Sequence, residues 1–206
     1  MGIPVLILGE SGSGKSTSLR NFDPEEVAIF NVAGKRMPFK KKLPYIIETS
    51  NYTQIENKLK EGKFKKYVID DSQYLLAFEL FDKANVAGYN KFTTMAVNFQ
   101  RLIATIVEDT PKDCIVYLLH HTEETNTGKI KIKTVGQMLD NQLTVEGLFT
   151  IVLLARYSNK EYKFLTQTDG SNPCKSPMDM FDLEIPNDLK LVDQKIREYY
   201  ELEEDK

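Results

Sequence analysis

Cysteine is scarce in this chain of 206 residues: Cys114 lies inside an apolar run and Cys174 stands far from it, with no second pair to build a disulfide framework or a thiolate zinc site. A reducing cytosol is the compartment this implies. Histidine is equally scarce, and the adjacent His120 and His121 have no further imidazole to complete a paired metal site. Basic excess is missing too: 27 Lys and Arg face 30 Asp and Glu, so overall charge does not announce a nucleic-acid binder. The longest apolar run, 149–155, falls far short of the ~18 residues of a membrane span, which excludes a membrane enzyme. The first ten residues have neither a positive flank nor a small-residue cleavage site and do not read as a secretory leader.

What is present describes a globular chain, 41% hydrophobic and 28% charged with a net charge of −3. Its length, about one and a half times a usual domain, predicts one core with an appendage. Strand-length apolar runs recur at 4–8, 27–32, 45–47, 67–69, 115–119 and 149–155. Several are continuous rather than alternating, which is the pattern of strands buried on both faces. Helix-compatible segments at 16–22, 52–61, 71–86 and 92–109 lie between them, predicting an α/β fold with a mainly parallel sheet flanked by helices. After 149–155, the polar turn Ser158-Asn159-Lys160 and the run 162–167 predict an antiparallel hairpin. The breakers at 169–173 close a core spanning 1–170 and leave 171–206 as an irregular segment with a terminal helix. Leu189, Val192, Ile196 and Tyr199 give that helix one apolar stripe, to be covered by its own core or by a neighbouring subunit. The acidic end, 198–205, reads as a solvated tail.

Gly9-Glu10-Ser11-Gly12-Ser13-Gly14-Lys15-Ser16 matches the phosphate-loop pattern G-x-x-x-x-G-K-[ST] in full, between a buried strand and a helix-compatible segment. Backbone amides and a helix N-terminus would converge on one phosphate there, and Gly12 and Gly14 permit torsions that a side chain obstructs. Lys15 would bridge the β- and γ-phosphates, Ser16 would offer its hydroxyl to Mg²⁺, and Thr17 would reach the α-phosphate. ATP with Mg²⁺ is the cofactor this implies. A second carboxylate is needed at the end of another buried strand, and Tyr67-Val68-Ile69-Asp70-Asp71 supplies two. Asp70 is the expected magnesium partner and Asp71 the expected general base, although the roles could be reversed; the plainer alternative is a carboxylate capping the next helix.

The run 115–119 ends in His120-His121, where polar residues at a strand's carboxyl end can meet a ligand. Extended neighbours point to opposite faces, so one histidine at most serves the site, and His120 is the expected γ-phosphate sensor. Next, Lys129, Lys131 and Lys133 alternate with aliphatic residues, a comb suited to a phosphate backbone or equally to guarding an exposed strand edge. Lys35, Arg36, Lys40, Lys41 and Lys42, with Pro38 and Phe39 among them, suit a single strand or a solvated loop.

The phosphate loop, the Asp70-Asp71 strand, an intervening strand, the His120 strand end and the late hairpin resemble the RecA-like class of P-loop ATPases. More narrowly, the chain resembles the small phage-encoded Sak-type ATPases of single-strand annealing, over about residues 3–170. The resemblance implies ATP-dependent recombination or annealing on single-stranded DNA, homo-oligomeric rings or filaments, single-strand-binding or other recombination proteins as partners, and a host cytoplasm as location. It implies DNA contact by the loop 123–136 and a basic residue lent by the next subunit, with Arg156, Lys160 and Lys163 as candidates. It also sets Glu48 beside Asp71 as a candidate base, and does not guarantee efficient hydrolysis. A GTPase reading fails because Asn159-Lys160-Glu161-Tyr162 lacks the guanine-reading aspartate, and no Leu-Ser-Gly-Gly supports a transporter ATPase. A small-molecule kinase and a non-hydrolysing nucleotide-gated module remain the alternatives.

Overall fold

Strand residues of opposite parity feed two separate cores. The computed structural model describes residues 1–136, 138, 139 and 142–202. In chain order the strands are β1 (Ile3–Gly9), β2 (Ala28–Asn31), β3 (Ile46–Glu48), β4 (Lys66–Asp70), β5 (Ile115–Glu124), β6 (Ile130–Ile132), β7 (Ile151–Ser158), β8 (Glu161–Leu165) and β9 (Glu184–Pro186). The helices are α1 (Tyr52–Glu61), α2 (Gln73–Asp82), α3 (Asn90–Asp109) and α4 (Leu189–Tyr199). On one sheet face Leu6, Leu8, Phe30, Ile69, Val116 and Leu118 pack with α1, α2 and α3. On the other, Val5, Ile7, Ile29, Val68, Tyr117 and Leu119 meet Leu19, Phe22 and the α4 stripe. Side chains one residue apart point to opposite faces, so only unbroken apolar runs can fill both layers.

The sheet order is β3-β2-β4-β5-β1-β7-β8-β9, with β6 paired to β5. Pairing is parallel from β3 through β7 and antiparallel from β7 to β8, β8 to β9 and β5 to β6. The fold is therefore α/β, with a mostly parallel mixed sheet, flanking helices and an antiparallel hairpin. Among the described residues no helix is long and apolar enough to cross a membrane.

Three expectations change. Residues 16–21 form a short 3₁₀ helix rather than an α-helix, and the chain is already extended at Phe22, one residue before the Asp23-Pro24 pair that disfavours helix. Residues 171–202 are built into the sheet and core: β9 extends the β8 edge, and Leu189, Val192 and Ile196 are fully buried, so the chain covers its own stripe. Tyr199, the stripe's fourth member, is exposed instead. Of the acidic end, residues 203–206 lie outside the described residues.

Helix α4 is also stapled by charge at the strands' amino ends. Arg197 Nε donates to Asp193 Oδ2 at 2.8 Å, and its terminal nitrogens donate to the carbonyls of Asp113 (3.0 Å) and Lys65 (3.1 Å). Asp193 Oδ1 accepts from the buried Tyr117 hydroxyl at 2.9 Å.

Candidate functional site

At the opposite, carboxyl edge of the sheet, β1 runs into the Gly9–Ser16 loop. Gly12 and Gly14 adopt φ of +79° and +98°, conformations that side chains rarely tolerate. A Cβ on Gly9 would stand 2.3 Å from Ser13 Oγ, so the loop closes only around glycine there. Among the described residues the amides of Gly12, Gly14 and Lys15 find no acceptor in the protein, and the buried Ser13 hydroxyl has no partner. Unpaired donors that converge on a concave turn favour an anion. Lys15 is buried in the same turn and folds back, its Nζ donating at 2.8 Å to the carbonyls of Gly9 and Glu10. Burial pulls its ammonium down to about 8, against the attraction of Asp71 and Asp70.

The loop meets β4 through one contact: Ser16 Oγ donates to Asp70 Oδ1 at 2.8 Å, across 54 residues of sequence. β5 lies between β4 and β1, so this contact spans the intervening strand at the sheet's edge. Burial pushes the Asp70 carboxyl up to about 6, the Ser16 bond opposing it and the neighbouring Asp71 charge adding to it. Asp71 has left the strand in a left-handed conformation, φ +60°. Its carboxylate turns back to Lys35 Nζ at 2.5 Å and faces His121 Nε2 at 3.3 Å, the latter out of line for a hydrogen bond. Burial raises this carboxyl, but His121 and Lys35 together outweigh it and hold it below the usual range. Helix α2 begins at Gln73 with Ser72 as its N-cap residue and no side-chain cap, so neither aspartate serves as the helix cap that the sequence allowed.

Gly12, Gly14, Lys15, Ser16, Thr17, Asp70 and Asp71 line one cleft of about 360 Å³ with Ser11, Lys35, Arg36, Pro38, His121 and Tyr162. Glu10, Ser11 and Ser13 also border a second cleft, which Arg156 of the same chain lines as well. Of the other two basic candidates, Lys163 pairs with Glu161 and Glu184, and Lys160 sits in the hairpin turn at φ +64°.

Two expected site residues lie elsewhere. Glu48 ends the edge strand β3, exposed and separated from Asp70 by β2, whose Asn31 is in register with both. At about 4.8 Å per strand it stands roughly 10 Å along the sheet from Asp70, beyond direct contact with the same group. His120 is fully buried against Phe99, on the α3 face, and does not face a phosphate. Its parity decides this: Gly9 pairs with His121, so His121 shares the loop's face and His120 the other. His120 Nε2 lies 2.8 Å from the Lys133 carbonyl, which only accepts, so Nε2 carries the proton and Nδ1 accepts from Ser72 Oγ at 2.9 Å. It ties the residue after Asp71 to the end of the lysine comb. Burial pulls this imidazole down to about 3.

The unfolded chain binds that proton near pH 6.5 and the folded chain does not, so stability falls with pH between about 6.5 and 3, by about 1.4 kcal/mol per unit. In urea melts, the change in stability from pH 7 to pH 5 is expected to be less favourable by about 2 kcal/mol in the parent than in a His120→Gln protein, the opposite contribution of Asp70 being common to both. Equal changes in both proteins would remove the assignment.

In the comb, β6 pairs antiparallel with β5, and Lys131 lies 2.7 Å from Glu123, which neutralises its ammonium locally. Lys129 and Lys133 are exposed.

Sequence reading missed His121, Lys35 and Tyr162. Only the register of β1 with β5 identifies His121. Lys35 stood in a basic stretch that reads as surface. Tyr162 comes from β8 and lies over Gly14, where a Cβ would meet its ring at 2.6 Å. No protein-family model matches the chain, and no curated protein matches it as a relative.

Proposed function

We propose that this protein is a Mg²⁺-dependent ATPase of the RecA-like P-loop class that acts on single-stranded DNA in recombination or strand annealing. The observation that carries the reading is the Ser16–Asp70 contact at 2.8 Å, beside loop amides that lack acceptors. A hydroxyl and a carboxylate that already touch fit the protein's share of a magnesium shell, the rest coming from phosphate oxygens and water. When bound, Mg²⁺ would supply charge neutralisation at the β- and γ-phosphates. The loop amides and Lys15 would bind the triphosphate, and Asp71, held ionised, would accept a proton from an attacking water. The strand order β4-β5-β1 supports the RecA-like assignment, because it sets one strand between the loop and the carboxylates.

The DNA half rests on Lys129 and Lys133, exposed on either side of β6, and on His120, which links the end of that hairpin to Ser72. Nucleotide state at Asp71 would reach the hairpin through this short path. ATP turnover with and without single-stranded DNA tests the whole reading, and stimulation by DNA is the expected result. Binding without turnover would favour the nucleotide-gated module, and phosphorylation of a metabolite the kinase. Lys129→Ala/Lys133→Ala is expected to reduce the slope of log affinity against log salt by about 1.4 on single strands, at about 0.7 per lysine. An unchanged slope would exclude the hairpin as the DNA contact.

A further inference from the structure

Lys35 belongs to no motif in the sequence, yet the fold delivers it to the cleft. β2 ends at Asn31, beside Asp70 in the parallel register. From there Gly34, at φ +64°, turns the chain back, and the Asn31 side-chain amide donates to the Lys35 carbonyl at 2.7 Å. The loop is thereby pinned to the sheet edge. Lys35 Nζ reaches Asp71 at 2.5 Å and lies 5.5 Å over the Tyr74 ring, which faces the same charge. The two partners are unequal: the Lys35 side chain is 60% exposed and that of Asp71 is 6% exposed. The ammonium therefore approaches a sunken carboxylate from the open side of the cleft. Lys15, the other ammonium in the cleft, is buried among the loop carbonyls.

A phosphate beyond the one held by the loop would lie toward the Ser16–Asp70 corner, next to Asp71. There it would compete with Asp71 for Lys35, carrying more negative charge, while His121 stays beside the carboxylate. We propose that Lys35 moves from Asp71 to the terminal phosphate and is the residue by which this chain distinguishes a nucleoside triphosphate from a diphosphate. This rests on the nucleotide reading above and adds to it a discriminator supplied by the same subunit. Arg36 also lines the cleft but makes no ion pair among the described residues, so nothing holds it near Asp71.

The test compares Mg²⁺–ADP with the Mg²⁺ complex of a β,γ-imido ATP analogue by calorimetry, on the parent, Lys35→Met and Lys35→Arg. Lys35→Met keeps the apolar stem and is expected to lose about tenfold in analogue affinity while ADP affinity stays within about twofold. Lys35→Arg, which keeps the charge, is expected to retain the preference. An unchanged ratio in Lys35→Met overturns the proposal, as does an equal loss for both nucleotides, which would make Lys35 a general source of positive charge. If the parent binds neither nucleotide, the reading of the loop itself fails and the proposal falls with it.

Discussion

A Lys15→Ala protein is expected to lose Mg²⁺–ATP affinity by about 10²- to 10⁴-fold, while folding at least as stably as the parent. On the proposed function, the affinity loss would follow from two charge-assisted contacts, to the β- and γ-phosphates, at about 1.5–3 kcal/mol each. The stability half follows from the site without its anion. Lys15 is buried and in ion-pair contact with no carboxylate among the described residues; two carbonyls hold it instead. Burial takes its pKa down to about 8 from 10.5, so the unfolded chain holds the proton more firmly than the folded one. The folded state then carries a penalty of about 3 kcal/mol at every pH below 8, fading as pH rises towards 10.5. Alanine removes the charge and this penalty with it, partly offset by lost packing of the stem. Thermal melts with and without 5 mM (about a saturating level) Mg²⁺–ATP check both halves, because a ligand bound only by the folded state raises the midpoint. A variant that keeps the parent's nucleotide-induced shift would sink the assignment of Lys15. A variant that melts far below the parent would show that its burial is structural.

Arg197→Ala is expected to cost about 3–5 kcal/mol of stability, since it strands the Asp193 carboxylate in the second core. Both side chains are nearly inaccessible, at 5% and 2% exposure. Without the guanidinium, Asp193 keeps the Tyr117 hydroxyl and Lys66, whose Nζ is 3.8 Å away and is held closer by Glu26 at 2.9 Å. The Asp113 carbonyl loses a donor as well. In a chain of this size the loss corresponds to a midpoint lower by about 6–20 °C. Asp193→Leu/Arg197→Met, which removes both charges and keeps the volume, is expected to recover much of the deficit, because the stranded charge rather than the lost attraction dominates. Nucleotide affinity of the folded single variant should match the parent, since this network sits at the amino ends of β4 and β5 and the loop at the carboxyl edge. A single variant within about 1 kcal/mol of the parent would contradict the account.

The strands and helices were legible because burial on two faces writes itself as continuous apolar runs, and the glycines of the first turn because positive φ and close approach admit few residue types. The same signals failed in three places. Residues 16–21 carry helix-compatible residues but too few before Pro24 to complete an α-helix. β9 is Glu184-Ile185-Pro186, one apolar side chain beside a proline, which gives neither an apolar run nor an alternation to read. The histidine pair shows plainly that one member faces each way, yet not which, since that depends on how β5 aligns with β1.

Local chemistry, then, already determined from the sequence that this chain forms a covered α/β sheet and that a glycine-rich turn follows its first strand, with a second buried strand ending in carboxylates. Which groups surround that turn was decided by tertiary structure alone. Lys35 and His121 arrive from the loop after β2 and from β5 because parallel strands share one carboxyl edge, and Tyr162 arrives from the amino end of β8, which meets that edge because β8 runs antiparallel; proximity there depends on strand order and register rather than on distance along the chain. For the same reason Glu48, which ends a strand at that same edge, stays too far along the sheet to take part.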